Sequence, residues 1–149
     1  MRLRSLASIA ALAAAAATSA ACSSGPQTAA PPPGALAPGT AEITIDGRDA
    51  GTTHAVSCSP AGFLTTITTG DNSSGVSAMV SNEDELKAES VSFRNVGGFT
   101  GSYNAGLGEP GATVSMTGRT YDISGTAQGF RTDNASFAAT SRFTVKVAC

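Results

Sequence analysis

The sequence has no tryptophan, a single histidine and few charged residues, and these scarcities exclude several classes of function. Its 149 residues include 9 Lys and Arg against 11 Asp and Glu, so the chain lacks the basic excess that nucleic-acid binding requires. A Ser-His-Asp triad would have to use His54, and no serine lies in a Gly-x-Ser-x-Gly sequence. No Cys-x-x-Cys pair is present, which argues against a thiol redox site or a structural zinc site. The sequence therefore predicts no catalytic residue, no metal, no cofactor and no nucleic-acid partner.

No apolar run is long enough to span a membrane, and the run at the N-terminus is typical of an export signal. Arg2 and Arg4 begin the chain, residues 6–17 are almost entirely apolar, and small residues then lead to Cys22. A basic start, a short apolar stretch and a small-residue exit together indicate a secretory signal peptide. We therefore predict that residues 1–21 are a signal peptide.

A cysteine directly after the small residues is typical of bacterial lipoprotein processing. Ala20 and Ala21 before Cys22 match the usual lipobox, whereas Ser19 stands where leucine is common. In such processing a diacylglycerol alkylates the thiol, and cleavage then makes the cysteine the acylated N-terminus. Two or three chains such as palmitate hold a protein durably, at about 0.8 kcal/mol per buried CH₂. We predict lipidation of Cys22 and anchoring on the extracytoplasmic face of the cell membrane. The alternative is an ordinary secreted protein.

Residues 22–40 form a segment rich in proline and alanine, with no aromatic or charged side chain. Such a composition cannot bury enough apolar surface to offset the entropy of ordering the chain. We therefore predict a disordered linker over residues 22–40, between the lipid and a domain spanning residues 41–149. The prolines of the linker are Pro26, Pro31, Pro32, Pro33 and Pro38.

Residues 41–149 alternate apolar and polar side chains in short stretches separated by Gly, Asn and Asp, which is typical of antiparallel strands. The clearest stretch is 142–149, where Phe143, Val145, Val147 and Cys149 share one face. The pattern predicts an all-β domain, either an antiparallel sandwich or a strongly curved sheet, with at most one short helix. Residues 81–87 suit either a helical turn or a polar hairpin connection. The predicted strands are 42–46, 54–58, 63–69, 75–81, 91–96, 99–103, 112–116, 121–127 and 142–149.

Two cysteines remain once Cys22 is assigned to the lipid, and both lie at the inward-facing positions of predicted strands. An even pair in an exported domain indicates a disulfide between Cys58 and Cys149. The bridge would close a loop of about 90 residues and stabilise the fold by roughly 4–5 kcal/mol. The alternative is free thiols with redox or metal-binding chemistry, for which His54 is the only available histidine.

An acidic cluster consists of Glu83, Asp84, Glu85 and Glu89. It lacks the aspartate spacing and central glycine of a calcium-binding loop. We therefore interpret it as a solvated surface rather than a cation site.

Several motifs occur in a fixed order along the chain: residues 43–49 (ITIDGRD), 56–58 (VSC), 121–129 (YDISGTAQG) and 143–149 (FTVKVAC). Together with the signal peptide, Cys22 and the linker, this layout resembles the mycobacterial nineteen-kilodalton lipoprotein antigen (LpqH) family. The linker differs from the family in being rich in proline instead of threonine and serine. Residues 131–141 also lack the prolines expected there.

The resemblance implies a lipid-anchored surface antigen of the cell envelope, without catalytic activity. It implies roles for three residues only, namely acylation of Cys22 and the disulfide between Cys58 and Cys149. The expected partners are the membrane, through the acylated N-terminus, and host immune receptors or envelope components. The domain is expected to be a monomer.

A different function would also suit a small exported β-domain, namely a tethered carrier or sensor of a small apolar ligand or lipid. It requires a cavity on the order of a few hundred Å³. The side chains proposed to line that cavity are Phe93, Phe99, Val114 and Ile123. A hydrolase that uses His54 is a third hypothesis.

Overall fold

The computed structural model describes residues 29–149, so Cys22, the predicted signal peptide and the first part of the predicted linker lie outside the described residues. Within residues 29–149 the structure contains no helix with the length and apolar character needed to cross a bilayer. The regular structure is almost entirely strand. The strands are β1 (Ala41–Ile45), β2 (Arg48–Thr53), β3 (Val56–Ala61), β4 (Leu64–Gly70), β5 (Gly75–Ser81), β6 (Lys87–Val96), β7 (Phe99–Asn104), β8 (Thr113–Thr117), β9 (Thr120–Arg131) and β10 (Ala138–Ala148), with a 3₁₀ turn at Thr132–Asn134.

All ten strands belong to one antiparallel, nearly closed sheet, in which nine follow the order β2-β1-β10-β9-β7-β6-β5-β4-β3 and β8 pairs with β9 outside this order. The long strand β9 pairs with β7 near its C-terminal end and with β8 near its N-terminal end. The prediction of an all-β domain built on a strongly curved sheet is confirmed. Residues 82–86 form the polar connection between β5 and β6 and contain no helical turn, so the hairpin alternative for that stretch is the one observed.

Side-chain alternation sorts the strands into an inner and an outer face, as the sequence predicts. On β5, Val76, Ala78 and Val80 are at most 3% exposed, whereas Met79 between them is 36% exposed. On β10 the inward residues are Phe143, Val145 and Val147, and all three are buried. Aromatic rings fill the centre of the core, with the ring centroids of Phe93 and Phe143 5.0 Å apart and those of Phe93 and Phe99 6.0 Å apart.

The last residues of the predicted linker lie against the sheet. The N–H of Ala35 donates to Pro32 O (2.9 Å) in a turn, and the N–H of Leu36 donates to Thr120 Oγ1 (3.0 Å). The N–H of Gly39 then donates to Ala148 O (2.9 Å). Backbone groups of Leu36 and Gly39 in the predicted linker therefore have partners on β9 and β10.

Candidate functional site

The disulfide joins two parts of the sheet that are not neighbours in strand order. Cys58 lies on the edge strand β3 and Cys149 follows β10, and their Cα atoms are 5.9 Å apart. Both residues are half-buried and pack against the hydrophobic core. The N–H of Cys149 also donates to Arg119 O (3.1 Å), so the last residue of the chain is held by a covalent bond and a hydrogen bond.

The linker reaches the domain at the same end of the sheet. This end comprises Gly118, Arg119 and Thr120 at the turn between β8 and β9, together with Ala148 and Cys149, and we name it the tether end. Thr120 is only 2% exposed and accepts the hydrogen bond from Leu36 described above. A Cβ placed on Gly118 would lie 3.2 Å from Pro32 Cγ, so the proline-rich segment passes directly beside this turn.

A polar network around Asp46 lies at the opposite end of β1, beside the middle of β10 and the last residue of β9, and we name this network together with the Thr132–Asn134 turn the far end. Asp46 accepts hydrogen bonds from Ser141 Oγ (2.9 Å) and from the N–H of Arg142 (2.9 Å). Arg131 approaches the same carboxylate with Nη1 at 3.5 Å and donates through Nη2 to Gly97 O (3.0 Å). These contacts fix the β1–β2 turn and the β6–β7 turn relative to β9 and β10. The ion pair is partly exposed, and such pairs typically contribute at most about 1 kcal/mol.

Asp71 organises the turn between β4 and β5 through its carboxylate. Asp71 Oδ1 accepts hydrogen bonds from Ser73 Oγ (2.6 Å), from the N–H of Ser73 (2.7 Å) and from the N–H of Ser74 (3.0 Å). These bonds, the Ser73 hydroxyl first, lower the pKa of Asp71 below its ordinary value. A carboxyl whose pKa is lowered on folding stabilises the fold above its unfolded pKa, and that contribution is lost as the pH falls through the folded pKa.

We predict that Ser73→Ala raises the pKa of Asp71 toward its ordinary value, because the hydroxyl bond and not burial is the main cause of the shift. The stability difference between the parent and Ser73→Ala should shrink as the pH falls through the folded pKa of Asp71. An NMR titration of the Asp71 carboxyl measures the first effect, with the exposed neighbour Asn72→Ala as control. An unchanged pKa in Ser73→Ala would contradict the assignment.

His54 and the acidic cluster take part in ordinary surface contacts. His54 Nδ1 lies 3.2 Å from Thr40 Oγ1, so the ring pairs with a hydroxyl at the start of the domain. Glu83, Asp84 and Glu85 are exposed in the connection between β5 and β6, and Glu89 pairs with Lys87 at 3.3 Å. Across residues 29–149 no group of three or more His, Cys, Asp or Glu side chains is placed to hold a metal ion.

The side chains expected to line a ligand cavity belong to the solid core instead, so that expectation is wrong. Phe93, Phe99 and Ile123 are at most 2% exposed, so their side chains pack against other protein atoms and offer almost no surface to a ligand. Val114 packs against the same cluster from β8. The surface has open clefts outside this core. One of about 440 Å³ is lined by Thr44, Asp46, Gly47, Arg142, Phe143 and Thr144. The apolar-ligand hypothesis therefore has no lining of the predicted kind.

The structure brings together one pair of the site residues that the sequence singles out, Cys58 and Cys149. The contacts of Leu36 with Thr120 and of Asp46 with Ser141 join residues 84 and 95 positions apart. Alternation and turn motifs describe only residues that are near in sequence, so they do not identify such distant pairs.

Comparison with known proteins gives one consistent result. A family model described as "Mycobacterium 19 kDa lipoprotein antigen" matches residues 34–149, a region that includes linker residues lying against the sheet. A Mycobacterium indicus pranii protein named "Putative lipoprotein" is 40% identical over 111 residues, covering 74% of this chain and 78% of that protein. Lipoprotein LpqH of Mycobacterium avium is 32% identical over 108 residues, covering 72% of this chain and 67% of that protein. Lipoprotein LpqH of Mycobacterium tuberculosis is 31% identical over 108 residues, with coverages of 72% and 68%.

Proposed function

Because this chain belongs to the Mycobacterium 19 kDa lipoprotein antigen family, we propose that it is a lipid-anchored protein of the cell envelope, acylated at Cys22. The observation that carries the proposal is the pairing of the cysteines. Cys58 and Cys149 are joined to each other, so Cys22, directly after the small residues of the signal peptide, is the one cysteine left for acylation. Relatives named as lipoproteins support the same assignment.

In this proposal the signal peptide spans residues 1–21, the linker begins at Cys22, and the β-domain stands on the extracytoplasmic face of the membrane. One acyl chain gives only reversible attachment, whereas two or three hold a protein durably. The diacylglycerol on the thiol is therefore sufficient for anchoring without any basic surface. The mature chain has little positive charge to offer anionic lipid, since Arg2 and Arg4 leave with the signal peptide.

The domain acts in this proposal as a displayed, non-enzymatic surface antigen and a monomer, and host immunity recognises its acylated N-terminus. Two features of the described residues support a role without catalysis. The single histidine contacts Thr40, and the residues proposed for a ligand cavity fill the core.

We predict that Cys22→Ser abolishes incorporation of labelled palmitate when the full chain is expressed in a mycobacterial host. The reason is that a serine hydroxyl does not replace the thiol as acceptor of the diacylglycerol. The matched control is the double variant Cys58→Ser with Cys149→Ser, which keeps Cys22 and should keep the label. Label that persists in Cys22→Ser, or that disappears only in the double variant, would overturn the assignment.

A further inference from the structure

The point at which the linker joins the sheet limits how the domain can face the membrane. Pro32 lies beside Gly118, and Leu36 and Gly39 are hydrogen-bonded to Thr120 and Ala148, all at the tether end. The chain is therefore attached to one end of the domain over several residues, and not at a single flexible point. Any force applied to the chain before Pro32 is therefore transmitted to the tether end.

Little chain is left between this attachment and the proposed anchor. Cys22 and Pro32 are about ten residues apart, and a fully extended chain of that length reaches at most about 35 Å. Strand β10 has 11 residues and runs at most about 35 Å from the side of the Thr132–Asn134 turn to the tether end, and Arg142 beside Asp46 lies about 20 Å along it from Ala148. To bring the Thr132–Asn134 turn against the membrane, the chain between Cys22 and Pro32 would have to run back along β10 at nearly its full reach. With the tether end toward the membrane, the same chain can stay slack.

We infer that the tether end faces the phospholipid surface and that the far end, with the Asp46 network and the Thr132–Asn134 turn, is the face displayed away from the membrane. The inference rests on the proposed acylation of Cys22 and adds the orientation to it.

The exposed side chains at and beside the tether end suit a phospholipid surface. Arg119 is exposed at the turn between β8 and β9, and Met116 on β8 is 45% exposed. A guanidinium can pair with lipid phosphates, and an apolar side chain can enter the headgroup boundary. This end is not strongly basic, because Asp122 and Glu42 lie opposite Lys146 on the neighbouring strands. The length of the tether and not electrostatic attraction is therefore the main cause of the orientation.

The test uses the acylated full chain in phosphatidylcholine vesicles that carry a fraction of spin-labelled lipid as quencher. One fluorophore is attached through Arg119→Cys at the tether end and, in a second protein, through Asp133→Cys at the far end. The acylated Cys22 and the Cys58–Cys149 disulfide leave the new thiol as the position to be labelled. We expect several-fold stronger quenching at position 119 than at position 133.

Two controls separate the orientation from the anchor. Both labelled proteins carrying Cys22→Ser and produced without the predicted signal peptide, residues 1–21, should remain in solution and show equal, weak quenching. Insertion of about twenty Gly and Ser residues after Ser24 raises the reach of the tether to roughly 100 Å and should reduce the difference between the two positions. Equal or reversed quenching in protein that floats with the vesicles would overturn the orientation alone. Failure of the acylated chain to float would overturn the proposed anchor, and the orientation with it.

Discussion

Removing the disulfide by the double change Cys58→Ala with Cys149→Ala is expected to lower the free energy of unfolding by about 4–5 kcal/mol. The two cysteines are 91 residues apart in sequence, so the bond removes a large part of the conformational freedom of the unfolded chain. Domains of this kind are stable by about 5–15 kcal/mol in total, and the loss is therefore a large fraction of the whole. The melting temperature should fall by roughly 15–20 °C.

The measurement is denaturant and thermal unfolding followed by circular dichroism, with residues 22–149 carrying Cys22→Ser as the unacylated background. Ser57→Ala is the matched control, because it changes an exposed neighbour on the same strand and should alter stability by less than about 0.5 kcal/mol. A reducing agent should reproduce the loss in the parent and have no effect on the double variant. A double variant as stable as the parent, or free thiols at Cys58 and Cys149 in native protein, would contradict the prediction.

The disulfide and the linker contacts meet on the same few residues, so the expected loss has a local component as well. Ala148 accepts from the N–H of Gly39 and donates to Thr40 O, and Cys149 follows directly. Without the bond to Cys58, the last residues of β10 keep hydrogen bonds but no covalent link to β3. Chain ends that are not tied down fray readily. We therefore expect the tether end to loosen first.

Local alternation in the sequence predicts the strands best where each strand is buried on one face only. The stretches 75–81 and 142–149 have a strict two-residue period, and β5 and β10 bury the faces that this period predicts. The edge strand β2 (Arg48–Thr53) was not predicted. Its sequence RDAGTT has no apolar alternation, and Gly51 interrupts it at a φ of 129°. Residues 48–53 form a strand only because they pair with β1, so a tertiary contact and not the local sequence determines this element.

The cysteine pair could be inferred from the sequence because three cysteines with one assigned to lipid leave a single pairing. The position of the linker against the sheet could not be inferred from the sequence. Proline and alanine content predicts a disordered segment up to residue 40, and no composition rule includes an acceptor such as Thr120 Oγ1, 84 residues away. The sequence also does not show that the core is filled by side chains. Alternation identifies Phe93, Phe99 and Ile123 as inward-facing, but whether inward side chains enclose a cavity or fill it depends on how tightly the sheet curves.

Phe99→Ala is expected to lower the free energy of unfolding by about 3–5 kcal/mol, because the change removes a large ring from a filled core and leaves a cavity. Phe99 is 0% exposed, and its ring packs against that of Phe93. It also covers Gly101 on the same strand, where a Cβ would lie only 2.6 Å from Phe99 Cζ. The ring and the glycine therefore fit each other, and the neighbouring backbone has little freedom to move into the space that the ring leaves.

Unfolding of Phe99→Ala and Phe99→Leu, with Phe137→Ala as control, tests whether the cavity is the cause. Phe137 is 67% exposed just before β10, so its removal should change stability by less than about 0.5 kcal/mol. Leucine keeps much of the buried volume and should destabilise by less than about 1.5 kcal/mol. A hydrophobic ligand cavity beside Phe99 would reverse these expectations, since a ring that lines an existing space can be truncated with little loss. If Phe99→Ala were as stable as Phe137→Ala, the solid core would be refuted and the carrier hypothesis would return.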